Sequence, residues 1–117
     1  MPSRILVVED EWLIAEDYAA VLSNAGHTIV GPCPSVKAAL AILDLHTVDA
    51  AFLDMELLDE KSFAIGERLK ELSIPFTFLS GYEARELPNT LRGQLVLAKP
   101  VEHAVLLAAA KRMCATA

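Results

Sequence analysis

The chain has 117 residues, 54% of them apolar, and sixteen acidic side chains against ten basic ones leave a net charge of −6. That length suits one domain with its own hydrophobic core, and the acidic balance argues against nucleic acid or an anionic membrane as partner, since both take clustered Lys and Arg. The longest apolar run, residues 104–110, falls far short of the roughly twenty residues that span a bilayer, the first residues lack signal-peptide form, and Cys33 and Cys114 have no metal-ligand spacing, so a cytoplasmic protein with reduced thiols is expected.

Residues 5–8 are an apolar run of the kind that forms a strand buried on both faces. A helix follows from about Glu11, with Leu13, Ile14, Tyr18, Val21 and Leu22 at helical spacing, and Gly26 is placed to end it. Residues 28–30 give a second strand, and Ser35 caps a second helix whose Val36, Ala39, Leu40 and Leu43 share a face. Residues 50–53 give the third strand. A third helix runs from about Ser62, aligns Ile65, Leu69 and Leu72, and cannot pass Pro75. Residues 76–79 give the fourth strand. The stretch 83–92 holds only Leu87 and Leu91 as large apolar residues and is broken by Pro88, which predicts a short, bent or mobile fourth helix. Residues 95–98 give the fifth strand, and Pro100 opens a fifth helix with Val101, Ala104, Val105, Ala108 and Arg112 in register. Strands alternating with helices imply an α/β fold, a parallel sheet covered on both faces.

In such sheets ligands bind beyond the carboxyl ends of the strands. Those ends carry Glu9-Asp10-Glu11, Asp54, Ser80-Gly81 and Lys99-Pro100. Carboxylates brought together repel unless a cation compensates, and Mg²⁺ is the natural candidate because it takes oxygen ligands. His27, His46 and His103 lie apart from one another and from these acids, which disfavours zinc. Plainer roles stand beside these: Lys99 as a strand-end ion pair, and the acids after strand one as first-turn complements to the helix dipole. Trp12 reads either as a half-buried helix residue or as a reporter of the acidic pocket.

Taken together, Leu6-Val7-Val8-Glu9-Asp10-Glu11, Phe52-Leu53-Asp54-Met55-Glu56-Leu57, Phe78-Leu79-Ser80-Gly81-Tyr82 and Ala98-Lys99-Pro100 resemble the receiver domains of two-component response regulators. The resemblance runs the length of the chain and implies a receiver domain over residues 1–117. It also implies a flavodoxin-like, doubly wound five-stranded parallel sheet in the order 2-1-3-4-5. It makes Asp54 the phosphoacceptor. Asp10 and Asp54 become Mg²⁺ ligands with the backbone carbonyl of Glu56, and Glu9 acts through water. Ser80 becomes the switch hydroxyl and Lys99 the partner of the phosphoryl group.

Leu58 and Ser62 stand where most receivers have proline and glycine, so the loop after Asp54 is expected to differ and to cap the third helix. Val96 replaces the usual aromatic switch. Tyr82 is the candidate substitute, in a run resembling single-domain receivers with a Phe-Ala-Thr-Gly-X-Tyr motif. Glu56, two residues after Asp54, is expected to alter the lifetime of the phosphoryl group. The implied partners are a sensor histidine kinase or phosphotransfer protein and a downstream protein. The chain stops soon after the fifth helix, which suits a single-domain regulator whose output is protein contact through strand four, helix four, strand five and helix five. Such a module assists only its own phosphorylation and dephosphorylation and is otherwise no enzyme. Two other readings are a degenerate receiver acting as a binding platform and an Mg²⁺-dependent phosphatase with an Asp nucleophile. The latter is disfavoured because Asp54 follows the third strand and no cap domain fits in this length.

Overall fold

A computed structural model describes residues 3–81 and 87–115. Five parallel strands make the main sheet: β1 (Arg4–Val8), β2 (Thr28–Cys33), β3 (Ala50–Asp54), β6 (Phe76–Ser80) and β7 (Val96–Ala98). Their order is β2-β1-β3-β6-β7, which is the expected 2-1-3-4-5 when only main-sheet strands are counted. Between β3 and β6, β4 (Glu56–Leu57) and β5 (Glu60–Lys61) form a separate antiparallel hairpin. The helices are α1 (Trp12–Asn24), α2 (Val36–Leu45), α3 (Phe63–Glu71) and α4 (His103–Ala115), with a short 3-10 turn at Asn89–Leu91.

The strands are apolar on both faces because both faces are covered. Leu6, Val8, Ala51, Leu53, Phe76 and Phe78 pack with Ala39 and Leu43 of α2 and Ile65 and Leu69 of α3. Ile5, Val7, Ala50, Phe52 and Leu79 pack with Tyr18 and Leu22 of α1 and Leu106, Ala110 and Met113 of α4. Cys33, at the end of β2, belongs to the first layer, and burial pushes its thiol up to about 11, away from thiolate chemistry.

Local signals work as expected at several boundaries. The Ser35 hydroxyl accepts a hydrogen bond from the Ala38 amide at 3.1 Å, capping α2. Gly26 follows α1 in the left-handed region (φ 97°), where a side chain would be strained. Gly66 serves a different need, since a Cβ there would meet the Phe78 and Phe76 rings at 3.0 and 3.2 Å and Leu91 at 3.3 Å. Its absence lets α3 approach β6. Gly66→Ala is therefore expected to destabilise the fold by about 1 kcal/mol net, the overpacking cost exceeding the gain in helix propensity. Urea unfolding checks this, and a more stable variant would show that the rings yield freely.

Four expectations need correction. Pro100 does not open the last helix; it follows a cis peptide bond in the turn, and α4 begins at His103, with the Leu106 amide bonded to the Glu102 carbonyl. The buried face of α4 is Leu106, Ala109, Ala110 and Met113, whereas Ala104, Val105 and Ala108 are exposed. Its alanine-rich sequence offers more than one apolar stripe. Residues 57–61 belong to the hairpin, and Ser62 stands at the cap position of α3 without a side-chain capping bond, its hydroxyl donating instead to the Met55 carbonyl at 3.4 Å. Trp12 is 69% exposed rather than half-buried, because α1 turns Ala15, Tyr18 and Leu22 inward. Of the expected fourth helix, the described residues show the 3-10 turn, and residues 82–86 lie outside the described part.

Candidate functional site

Asp54 ends β3, Ser80 ends β6, Glu9 follows β1 and Lys99 follows β7. Since β1 and β6 flank β3, and β7 flanks β6, these four residues come together at the carboxyl edge. Backbone bonds hold the edge in place: the Glu9 amide donates to the Cys33 carbonyl (3.0 Å), the Met55 amide to Leu79 (2.8 Å) and the Lys99 amide to Ser80 (2.9 Å). Glu9, Asp54 and Ser80 are only 3%, 4% and 1% exposed.

The Lys99 ammonium donates to Glu9 Oε1 at 2.8 Å and to Asp54 Oδ2 at 3.2 Å. The other oxygens are also engaged: Glu9 Oε2 accepts from the Glu11 amide, and Asp54 Oδ1 from the Glu56 amide, both at 3.2 Å. Asp10, partly exposed, completes a trio in which carboxylate oxygens of Glu9, Asp10 and Asp54 lie within 4.8 Å of one another. An all-oxygen set of this kind fits a hard cation such as Mg²⁺ rather than zinc. No histidine belongs to the trio; His103 faces Asp17 across α1 and α4 at 2.9 Å.

Burial pushes the Glu9 carboxyl up to about 7, aided by its hydrogen bond with Asp54 and opposed by Lys99. Burial alone would lower Lys99, but the hydrogen bonds and charges of Glu9 and Asp54 outweigh it and hold the ammonium above its ordinary range. The two plain readings of these residues are thus only partly right. Lys99 is indeed an ion-pair partner, but to two buried acids at once. Glu11 occupies the cap position of α1 with no side-chain capping bond.

A cleft opens over these groups, lined by Asp10, Asp54, Glu56, Leu58, Gly81 and Lys99. A second cleft, at the amino end of β6 beside Lys70, Arg92 and Gln94, has no carboxylate in its lining. At the first, Leu58 exposes a large apolar surface.

One contact was not legible in the sequence. The Ser80 hydroxyl donates to the Glu56 carboxylate, 2.9 Å from Oε1 and 3.1 Å from Oε2, and Lys61 Nζ lies 3.8 Å from Oε2. The sequence points to Glu56 for its backbone carbonyl and its nearness to Asp54, whereas its side chain reaches Ser80. Val96 is partly buried against the layer of α2 and α3. Tyr82, the candidate aromatic switch, lies outside the described residues.

A family model for the response regulator receiver domain matches residues 5–111. The chain is 31% identical over 108 residues to the phyllosphere-induced regulator PhyR of Methylorubrum extorquens, a match covering 89% of this chain and 40% of that protein. It is 29% identical over 93 residues to the transcriptional regulatory protein PdtaR of Mycobacterium tuberculosis, covering 79% and 45% respectively. The chain thus spans less than half the length of these relatives. The solution structure of SdrG from Sphingomonas melonis Fr1 superposes with a TM-score of 0.81 at 34% identity, covering 96% of each chain.

Proposed function

The chain belongs to the response regulator receiver domain family, and from that premise we propose that it accepts a phosphoryl group on Asp54 from a phosphohistidine of a sensor histidine kinase or phosphotransfer protein. The observation that carries this reading is the placement of Asp54: a buried carboxylate at a strand end, bonded to Lys99 and grouped with Glu9 and Asp10. The carboxylates of Asp10 and Asp54 and the backbone carbonyl of Glu56 would hold Mg²⁺, with Glu9 acting through water. When bound, Mg²⁺ offsets the negative charge that a carboxylate meets on approaching a phosphoryl group.

In the transfer, an Asp54 oxygen forms the new bond to phosphorus while the phosphorus–nitrogen bond breaks. The imidazole leaves with that electron pair and takes a proton. Lys99, tied to Glu9 on one side, keeps its charge beside the transferred group and holds Asp54 in line. The Ser80 hydroxyl then donates to a phosphoryl oxygen, and the displacement of the β6 end passes to a protein-binding surface that includes β7 and α4. Tyr82 is proposed as an accompanying aromatic. This chemistry serves signalling in the cytoplasm and is confined to the module's own phosphorylation and dephosphorylation.

Incubation of the wild-type chain with Mg²⁺ and a small acyl-phosphate donor is expected to add the mass of one phosphoryl group, and a chelator to prevent it. An unchanged mass would overturn the proposal and leave a binding platform.

Mg²⁺ binding should also be pH-dependent. A carboxyl near 7 in the folded chain, against 4.5 ordinarily, retains a proton that the unfolded chain has lost. Its contribution to stability therefore falls as pH rises from about 4.5 to 7. A cation replaces that proton, so the rise in melting temperature caused by Mg²⁺ should be larger at pH 8 than at pH 6. Equal shifts at both pH values would remove Glu9 from the site.

A further inference from the structure

A hydroxyl has one proton to donate, and a carboxylate has none. The Ser80 hydroxyl gives its proton to Glu56, so it cannot give the same proton to a phosphoryl group on Asp54. The Glu56 carboxylate is itself held in a small frame. Glu56 and Lys61 are cross-strand partners in the hairpin of β4 and β5, and their side chains approach to 3.8 Å. Two residues of that hairpin face in different directions: Glu56 bonds Ser80, while Glu60 Oε2 accepts from the Val36 amide at 3.1 Å, the first residue of α2.

We propose that Glu56 is a positioning residue that latches Ser80 in the unphosphorylated chain, and that phosphorylation releases the hairpin by taking Ser80 from it. The inference rests on Asp54 being the phosphoacceptor. Two effects then act in one direction. The phosphoryl oxygens compete for the Ser80 proton, and the added negative charge repels the Glu56 carboxylate, whose backbone amide already bonds Asp54. Once Glu56 lets go, the hairpin loses its side-chain bond to the end of β6 and keeps the Glu60 bond at the amino end of α2. The phosphorylation state is thereby read at the hairpin and at the amino end of α2.

The test measures amide hydrogen exchange by NMR at Val36, Glu56, Lys61 and Ser62 in wild type, E56A, E56Q, S80A and the double variant E56A/S80A. All keep the Glu56 backbone carbonyl. In unphosphorylated protein, E56A should exchange about tenfold faster at these amides, the effect of losing one hydrogen bond to a charged group. E56Q should stay close to wild type, because its amide oxygen still accepts from Ser80. The double variant should exchange no faster than S80A, since each change removes the same contact. Wild-type exchange rates in E56A would overturn the latch whether or not the chain is ever phosphorylated. In protein whose added mass has been verified, wild type should rise to the E56A level and E56A should rise no further; unchanged protection in wild type would also overturn the latch. A wild type that gains no mass overturns the phosphoacceptor reading instead, and the unphosphorylated series then decides the holding contact by itself.

Discussion

Asp54→Asn loses phosphoryl uptake while keeping the fold. The amide is nearly the same size as the carboxylate but carries no charge and cannot form the acyl phosphate, so the rate of mass gain should fall by at least about 10³-fold. Stability should not fall with it. Asp54 is one of two acids bonded to Lys99, and the Lys99–Glu9 bond at 2.8 Å remains. Asp54 also raises Glu9, both through a hydrogen bond and through charge, so its neutralisation relieves Glu9. The melting temperature of Asp54→Asn is therefore expected to be no lower than that of wild type, with a smaller increase on adding Mg²⁺. Equal mass gain in the two proteins would place the acceptor on another residue.

Lys99→Met should have the largest effect on stability. The substitution keeps most of the side-chain volume and removes the cation between two buried carboxylates. Breaking a buried ion pair from one side leaves charges without compensation and costs about 3 kcal/mol or more. The sign of the pH dependence follows from Glu9. Without Lys99 its carboxyl rises further above the ordinary 4.5, so the folded chain holds protons that the unfolded chain releases. The penalty is full at pH 8 and shrinks towards pH 5 as the Glu9 carboxyl protonates. Urea unfolding at the two pH values measures it, and Mg²⁺ at pH 8 should recover part of the loss by supplying another cation. Equal stability of the two proteins at pH 8 would mean that Lys99 is an incidental ion pair.

The parts of this site that are legible in the sequence share one physical cause. Parallel strands buried on both faces read as unbroken apolar runs, so the first charged or polar residue after each run marks its carboxyl end. Glu9, Asp54, Ser80 and Lys99 were found in that way, and the strand order brings them together. What was missed lacks such a signal. The hairpin of β4 and β5 turns through Leu58 and Asp59, with Asp59 at φ 61°, and Leu-Asp is not a pair that announces a tight turn as Asn-Gly does. The Ser80–Glu56 bond spans 24 residues and depends on that hairpin. The face of α4 was misread because Ala104 to Ala110 is apolar all round, and only packing against the sheet selects Leu106, Ala109 and Ala110. Trp12 was misplaced because hydrophobicity alone does not say which way a helix of mixed faces will turn.

The two apolar layers of the sheet carry a consequence for the site above them. Side chains along a strand alternate in direction. Two residues on from Val7, Phe52 and Leu97, all in the layer of α1 and α4, come Glu9, Asp54 and Lys99. Two residues on from Phe78, in the layer of α2 and α3, comes Ser80. The charged trio thus crowns one half of the molecule and the hydroxyl crowns the other. A bond from a modified Asp54 to Ser80 is a stitch over the rim of the sheet, joining halves that the sheet otherwise walls apart. A mark written on the side of α1 and α4 thereby gains a direct hold on the side of α2 and α3.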